Sequence, residues 1–340
     1  MWKNVLIGIS IGFIVTSCVV SKAYDPPVFP EAKKLCSKPL SEGLIFYYPF
    51  DMFIDGDYIF ILALSDNTWL QVYSKKTGEY MGSFISKGQG PGEVVTGTML
   101  HYDASRHSVA IYDETSEKLL SYCIGDSLKS LLILSSEKSF HSYGGVVRRT
   151  WPLGDNRYLV DGQLGGKLGV QKRFQLLSND KVINEYNEFA VTSEDEKMAF
   201  LSPCITVSPD KRKMAVGTLY GGILELYDIS ENILLKDIRK FYPPILRYHS
   251  GVIKNTEETI WGFSTLYATN DNIYTVLIGD KNPNLFKNIS VFNWNGEEKI
   301  RYETDCSVLM LCSSKDEPDK LYGIAVSDDR DFYLVSFDLR

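Results

Sequence analysis

The chain of 340 residues is poor in the signatures that announce catalysis or metal binding. Its four histidines, His101, His107, His141 and His249, fall in no H-E-x-x-H or similar spacing. None of its six cysteines stands in a C-x2-C pair, so a zinc site is not expected. There is no Gly-x-Ser-x-Gly elbow. The one Ser-x-x-Lys, from Ser135 to Lys138, lies in a polar turn without its companion motifs. No D-x-[DN]-x-[DN]-G calcium loop occurs. Acidic pairs such as Asp55 with Asp57, or Asp328 with Asp329, sit where turns favour Asp, and a glycosidase carboxylate pair is not read from them. A basic face is missing too. The formal net charge is −7, which argues against nucleic acid as a partner. Long helical periodicity is absent, and residues 192–197 are the one run that predicts a helical turn. No cofactor and no metal are expected.

Long apolar runs are also lacking. Val5 to Val15 is the longest, at eleven residues behind Lys3. As a helix it would span about 16 Å, whereas a bilayer core needs roughly 20 residues. That length suits the core of a signal peptide. It runs into Val15-Thr16-Ser17-Cys18, which resembles the lipobox of bacterial lipoproteins. The resemblance implies cleavage before Cys18 and lipidation of its thiol. Stable anchoring takes at least two acyl chains. No Asp follows Cys18 and no acidic cluster follows it, which directs the expectation to the periplasmic face of the outer membrane. Residues 1–17 are therefore read as signal peptide and 18–30 as a lipidated tether stiffened by Pro26 and Pro27. Residues 31–340 are read as one large domain. Of the remaining cysteines, Cys306 and Cys312 are the nearest pair and could bridge in an oxidising compartment. Buried free thiols are the favoured reading.

What is present is β structure in repeats. Tyr and Phe, with 21 and 17 copies, both favour strands. One unit recurs: alternating apolar residues, an aromatic or aliphatic anchor, a turn of Asp, Asn, Ser or Gly, and a further strand. Its anchors are Tyr73, Tyr112, Leu177, Tyr227, Phe292 and Phe337, spaced 39, 65, 50, 65 and 45 residues apart. These intervals centre on the roughly 40–50 residues of a four-stranded propeller blade, with insertions in two. An apolar strand precedes several copies, such as residues 58–64, 272–278 and 321–326. The chain ends after the third strand of the last copy, and the early strand around Lys34-Leu35-Cys36-Ser37 is available to complete that blade. The fold expected is an all-β, six-bladed propeller.

Three stretches carry a family resemblance: Gly88-Gln89-Gly90-Pro91-Gly92-Glu93, residues 266–274 around Tyr267-Ala268-Thr269, and Ile289 to Gly296. With them the chain resembles the TolB-like six-bladed propeller lipoproteins over nearly its whole mature length. The resemblance implies the fold and an envelope location, and it brings no catalytic residues.

The glycine stretch superficially suggests a phosphate loop, but it has no P-loop lysine and no following helix. Gly88, Gly90, Pro91 and Gly92 are read instead as a tight connection between blades. Arg148, Arg149 and Trp151 form the densest cationic and aromatic cluster, a pattern typical of binding hot spots; a blade-entry strand with Trp151 in the core is the favoured reading. Arg247-Tyr248-His249-Ser250-Gly251 reads as the start of a blade, which would set Arg247 and His249 at a channel mouth. The functional expectation is a membrane-anchored binding or scaffold module for an envelope protein, peptide or glycan. The alternative is a glycan-active hydrolase or lyase with groups converging at the central channel.

Overall fold

The computed structural model describes residues 23–340 apart from 41–47, 66, 141–144, 165–172, 188, 190, 192, 202, 250, 251 and 285. The expected signal peptide, residues 1–17, and the expected lipidation site Cys18 lie outside the described residues. Six sheets form a six-bladed β-propeller. Blades 1 to 4 occupy residues 49–86, 97–139, 145–186 and 203–240, each with four antiparallel strands paired in chain order. Blade 5, residues 261–304, carries a fifth strand, Ala32–Leu35, parallel to Glu298–Thr304. Blade 6, residues 307–338, has three strands of its own, and Ser37–Pro39 pairs antiparallel with the last, Phe332–Asp338. First strands of neighbouring blades approach one another, Pro49–Asp55 beside both Gly97–Asp103 and Ser307–Ser314. The first strands therefore line the inner ring.

Burial explains the composition of each strand. Second and third strands are covered on both faces by neighbouring blades, so they read as continuous apolar runs. Tyr58–Ala63 and Ile223–Asp228 are buried at almost every position. Outer strands such as Lys181–Tyr186 are exposed and charged, which blunts their free edges. The core is divided among the junctions. Phe60, Trp69, Val109 and Leu120 fill blades 1 and 2. Tyr112, Phe140, Val160 and Leu177 fill 2 and 3, and Ala215, Leu226, Phe263 and Phe292 fill 4 and 5.

Two of the irregular repeat intervals have different causes. Tyr73, Leu177, Tyr227, Phe292 and Phe337 all lie on third strands, but Tyr112 lies on the second strand of blade 2, Ser108–Asp113. Its third-strand counterpart is Tyr122, on Lys118–Ile124. With Tyr122 the first intervals become 49 and 55, and no insertion is needed. Tyr112 was misleading because Val109-Ala110-Ile111-Tyr112-Asp113 carries the same apolar run and Asp turn as a third strand. The long interval before Phe292 is a true insertion, a two-stranded hairpin of Leu246–His249 and Val252–Asn255. Arg247 and His249 thus belong to this hairpin rather than to the start of a blade.

The helical turn is Glu194–Ala199, where Ser193 and Glu196 form a reciprocal capping box. Among the described residues no helix is long and apolar enough to cross a membrane. Cys306 and Cys312 are both free and buried. Six residues along one extended segment separates them by about 20 Å, far beyond the roughly 7 Å Cα limit for a bridge.

Candidate functional site

The glycine loop connects the last strand of blade 1 to the first of blade 2 and folds around its own carboxylate. The Gly90 N–H donates to Glu93 Oε2 at 2.8 Å. A Cβ at position 88 would stand 2.0 Å from that oxygen, and Gly92 has φ +72°. An acidic side chain thus occupies the space that a phosphate would need. The cavity beside the loop, about 300 Å³, is bordered by Glu93, Asp113 and Glu137 and by one cation, Lys118, which pairs with Glu137, so acids outnumber bases there.

Arg148 and Arg149 meet on one acid. In a regular strand, consecutive side chains point to opposite faces. The bulge between Val147 and Arg149 in the first strand of blade 3 relaxes that rule. Arg148 Nη2 reaches Asp161 Oδ1 at 2.7 Å, and Arg149 Nη2 reaches Oδ2 at 2.7 Å. Arg149 Nη1 also donates to the Pro203 carbonyl of blade 4 at 2.8 Å. Asp161 is buried, while 45% of the Arg148 side chain is exposed. Two guanidiniums on one carboxylate leave a net positive charge at the inner strand. Trp151 is not part of this surface. It is 6% exposed and packs in the core between blades 3 and 4, with its ring 6.1 Å from that of His101. Arg247 is exposed on the inserted hairpin. The sequence does carry a signal for Asp161, a lone acid closing the apolar stretch Tyr158-Leu159-Val160. A charge in a strand with that much burial needs a partner.

Other inner-strand groups are held by internal bonds. Asp51 accepts the N–H of Met52 at 2.8 Å and, across to blade 2, the N–H of Leu100 at 2.9 Å. Burial pushes its carboxyl up to about 6. Burial also pushes the Cys204 thiol up to about 11 and the Cys312 thiol up further, which disarms both as nucleophiles at neutral pH. His101 is pushed down to about 4 by burial, and its Nε2 has no hydrogen-bond partner. Among the described residues no group of three or more His, Cys, Asp or Glu could hold a metal.

Asp51 and His101 act on stability with opposite signs. A carboxyl whose folded pKa is raised from 3.8 to about 6 stabilises the fold fully below 3.8, and that contribution fades as pH rises through 6. A histidine lowered from 6.5 to about 4 stabilises the fold above 6.5 and loses that contribution as pH falls through 4. The two offset each other in the native protein. In an Asp51→Asn variant only the histidine remains. Acidification from pH 6.5 to 4 should then cost roughly 2 kcal/mol more than in the native chain, read from urea midpoints at each pH. Equal pH slopes would refute this assignment.

Comparison with known proteins agrees with this architecture. A family model described as TolB-like 6-blade propeller-like matches residues 27–316. No curated protein matches the chain. A protein of Bacteroides fragilis described as exported superposes with a TM-score of 0.55 at 14% identity, covering 92% of this chain and 98% of its own. A Bacteroides vulgatus member of the DUF4221 family gives 0.52 at 12% identity, over 90% and 96%. A luciferin-regenerating enzyme gives 0.51 at 11% identity, over 89% and 95%. At these identities the likeness is one of fold alone.

Proposed function

Because the chain belongs to the TolB-like six-bladed propeller family, we propose that it is a binding module of the bacterial cell envelope. In this reading Cys18 carries the lipid anchor and one face of the propeller holds an acidic partner, a protein, peptide or glycan. The observation that carries the binding reading is the Arg148 and Arg149 pair on the single carboxylate of Asp161, with Arg148 half exposed. An under-neutralised guanidinium on a rigid strand is pre-organised for a carboxylate or other oxyanion. The short apolar core before Val15-Thr16-Ser17-Cys18 supports the anchor, as does the exported description of the Bacteroides fragilis protein of like fold. The periplasmic face of the outer membrane is the location this reading assigns. The pairing of Ser37–Pro39 with the last strand supports closure of the ring by the N-terminal segment.

Mass spectrometry of the protein isolated from membranes after crosslinking in cells tests both parts. A diacyl or triacyl group on Cys18 is the expected result for the anchor, and cleavage elsewhere without lipid would overturn it. For the partner, Arg148→Gln should remove most of the crosslinks made by the native protein while leaving the melting temperature nearly unchanged. Asp161 keeps Arg149 in that variant. Crosslinks that survive Arg148→Gln would place the partner elsewhere.

A further inference from the structure

The hairpin of Leu246–His249 and Val252–Asn255 adds no strand to any blade, yet its base is firmly held. The Thr259 hydroxyl donates to the Ile245 carbonyl, and the Thr256 N–H donates to Thr259 Oγ1 at 2.7 Å, so the two ends of the insertion are tied together. Pro244, just before the hairpin, packs on Gly221 of blade 4. A Cβ at position 221 would stand 2.5 Å from the Pro244 nitrogen. The Tyr242 N–H donates to the Gly221 carbonyl at 2.8 Å.

This rigid hairpin carries a charge pattern that costs stability. Arg247 and Lys254 stand directly opposite one another in its register, and like charges in that position repel. Both are exposed, and among the described residues neither has an acidic partner. The carboxylates of the adjoining elements are mostly committed elsewhere. Glu194 pairs with Lys197, Glu196 with Lys240 and Glu258 with Lys281. Asp195 and Glu257 remain, and neither forms an ion pair with the two cations among the described residues. In a chain of net charge −7, an unmatched cation pair on a fixed support is complementary to an anionic surface. Exposed aliphatic side chains border the same place. Ile245, 39% exposed, precedes the hairpin, and Leu201, 44% exposed, follows the helix Glu194–Ala199, against which Leu246–His249 packs. Cations beside aliphatic residues are the side chains of an interfacial membrane contact.

The place where the chain leaves the propeller selects a membrane as that surface. The same helix supplies Glu196, which accepts the Tyr24 hydroxyl at 2.6 Å. Six residues lead from Tyr24 back to Cys18, at most about 21 Å of extended chain. A lipid on Cys18 therefore keeps this helix, and the hairpin beside it, close to the bilayer. We propose that Arg247 and Lys254, with Ile245 and Leu201, dock on the anionic phospholipid headgroups of the membrane that holds Cys18, and so set which face of the propeller is turned away from it. This docking rests on the anchor at Cys18.

The test couples Cys18 of residues 18–340 to a maleimide phospholipid in vesicles. Cys36→Ser and Cys123→Ser remove the exposed thiols, and Cys204, Cys306 and Cys312 are partly or fully buried. Acetylation of each lysine is then read by mass spectrometry, as the ratio of coupled to uncoupled protein. On equimolar phosphatidylcholine and phosphatidylglycerol, acetylation of Lys254 should fall at least about tenfold, because each cation near an anionic surface favours the docked state about fivefold. Lys76, exposed on blade 1, should be unchanged. Arg247→Gln should restore Lys254 acetylation by about fivefold. Pure phosphatidylcholine, or about 1 M salt, where charges are screened within about 3 Å, should abolish the protection. Equal acetylation of Lys254 in coupled and uncoupled protein overturns the proposal. So does equal protection on pure phosphatidylcholine, or protection of Lys76 as strong as that of Lys254. The coupling supplies the lipid, so these results stand apart from whether cells lipidate Cys18, which the mass of the native N-terminus reports.

Discussion

Replacement of Arg173 by methionine is expected to destabilise the propeller by about 3–5 kcal/mol, the largest effect of any single change considered. Arg173 is 5% exposed and Glu225 is fully buried, and they pair across the junction of blades 3 and 4 at 2.7 Å. The guanidinium also lies over the rings of Phe174, Phe189 and Phe200, 5.2, 4.6 and 4.4 Å from their centroids. Glu225 in turn accepts the Tyr227 hydroxyl at 2.7 Å, and burial pushes that phenol well above its ordinary value, so it stays a donor. Methionine fills much of the arginine volume but leaves a carboxylate without its cation in a low-dielectric site. That uncompensated charge causes most of the loss. Adding Glu225→Gln removes the charge while keeping an acceptor for Tyr227. The double variant should therefore recover more than half of the stability lost by the single one. Urea unfolding with an unchanged slope is the measurement. A single-variant loss under about 1 kcal/mol, or a double variant less stable than the single, would refute the account.

Deleting residues 23–39 should lower the melting temperature by on the order of 10 °C or more and make the chain aggregate. This segment runs along the rim of three blades. The Tyr24 hydroxyl donates to Glu196 Oε1 at 2.6 Å, and the same oxygen accepts Lys240 Nζ at 2.8 Å. Lys240 also lies over the Tyr24 ring, and the Asp25 N–H bonds its carbonyl at 2.8 Å. Phe29 meets Phe292 edge to face at 5.4 Å. Ala32–Leu35 and Ser37–Pro39 then add to blades 5 and 6, and Leu35 enters the core between them. The stretch expected to be a tether, residues 18–30, is thus bonded to the propeller from Tyr24 onward. Without it the last strand of blade 6 would present an unpaired edge, a template for pairing between chains. Tyr24→Phe removes one hydrogen bond only and should cost about 1 kcal/mol. A truncated chain that elutes as the full chain does, with an unchanged melting temperature, would disprove closure by this segment.

The strands, the turns and the helical run at residues 192–197 were legible in the sequence, since each depends on residues within a few positions of one another. Apolar runs bounded by Asp and Gly turns need no distant partner to be recognised. The same locality caused the error at Tyr112. A second strand followed by an Asp turn looks like a third strand until its pairing is known. Trp151 was ambiguous because an aromatic residue beside two arginines suits a surface or a core, and burial by the neighbouring blade settled it. The insertion at Leu246 to Asn255 was read as a blade start because a hairpin has the same local pattern whether or not other strands join it.

From its sequence alone this protein was assignable to the all-β class and to a repeat of about blade length. These follow from periodicity and turn chemistry. Only the tertiary structure decided which polar groups meet. Arg173 finds Glu225 from 52 residues away, and Tyr24 finds Glu196 from 172. The reason is geometric. Within a strand, the order of residues sets which faces they share. Between blades, neighbours are set by how twisted sheets pack around an axis, and local periodicity carries no record of that packing.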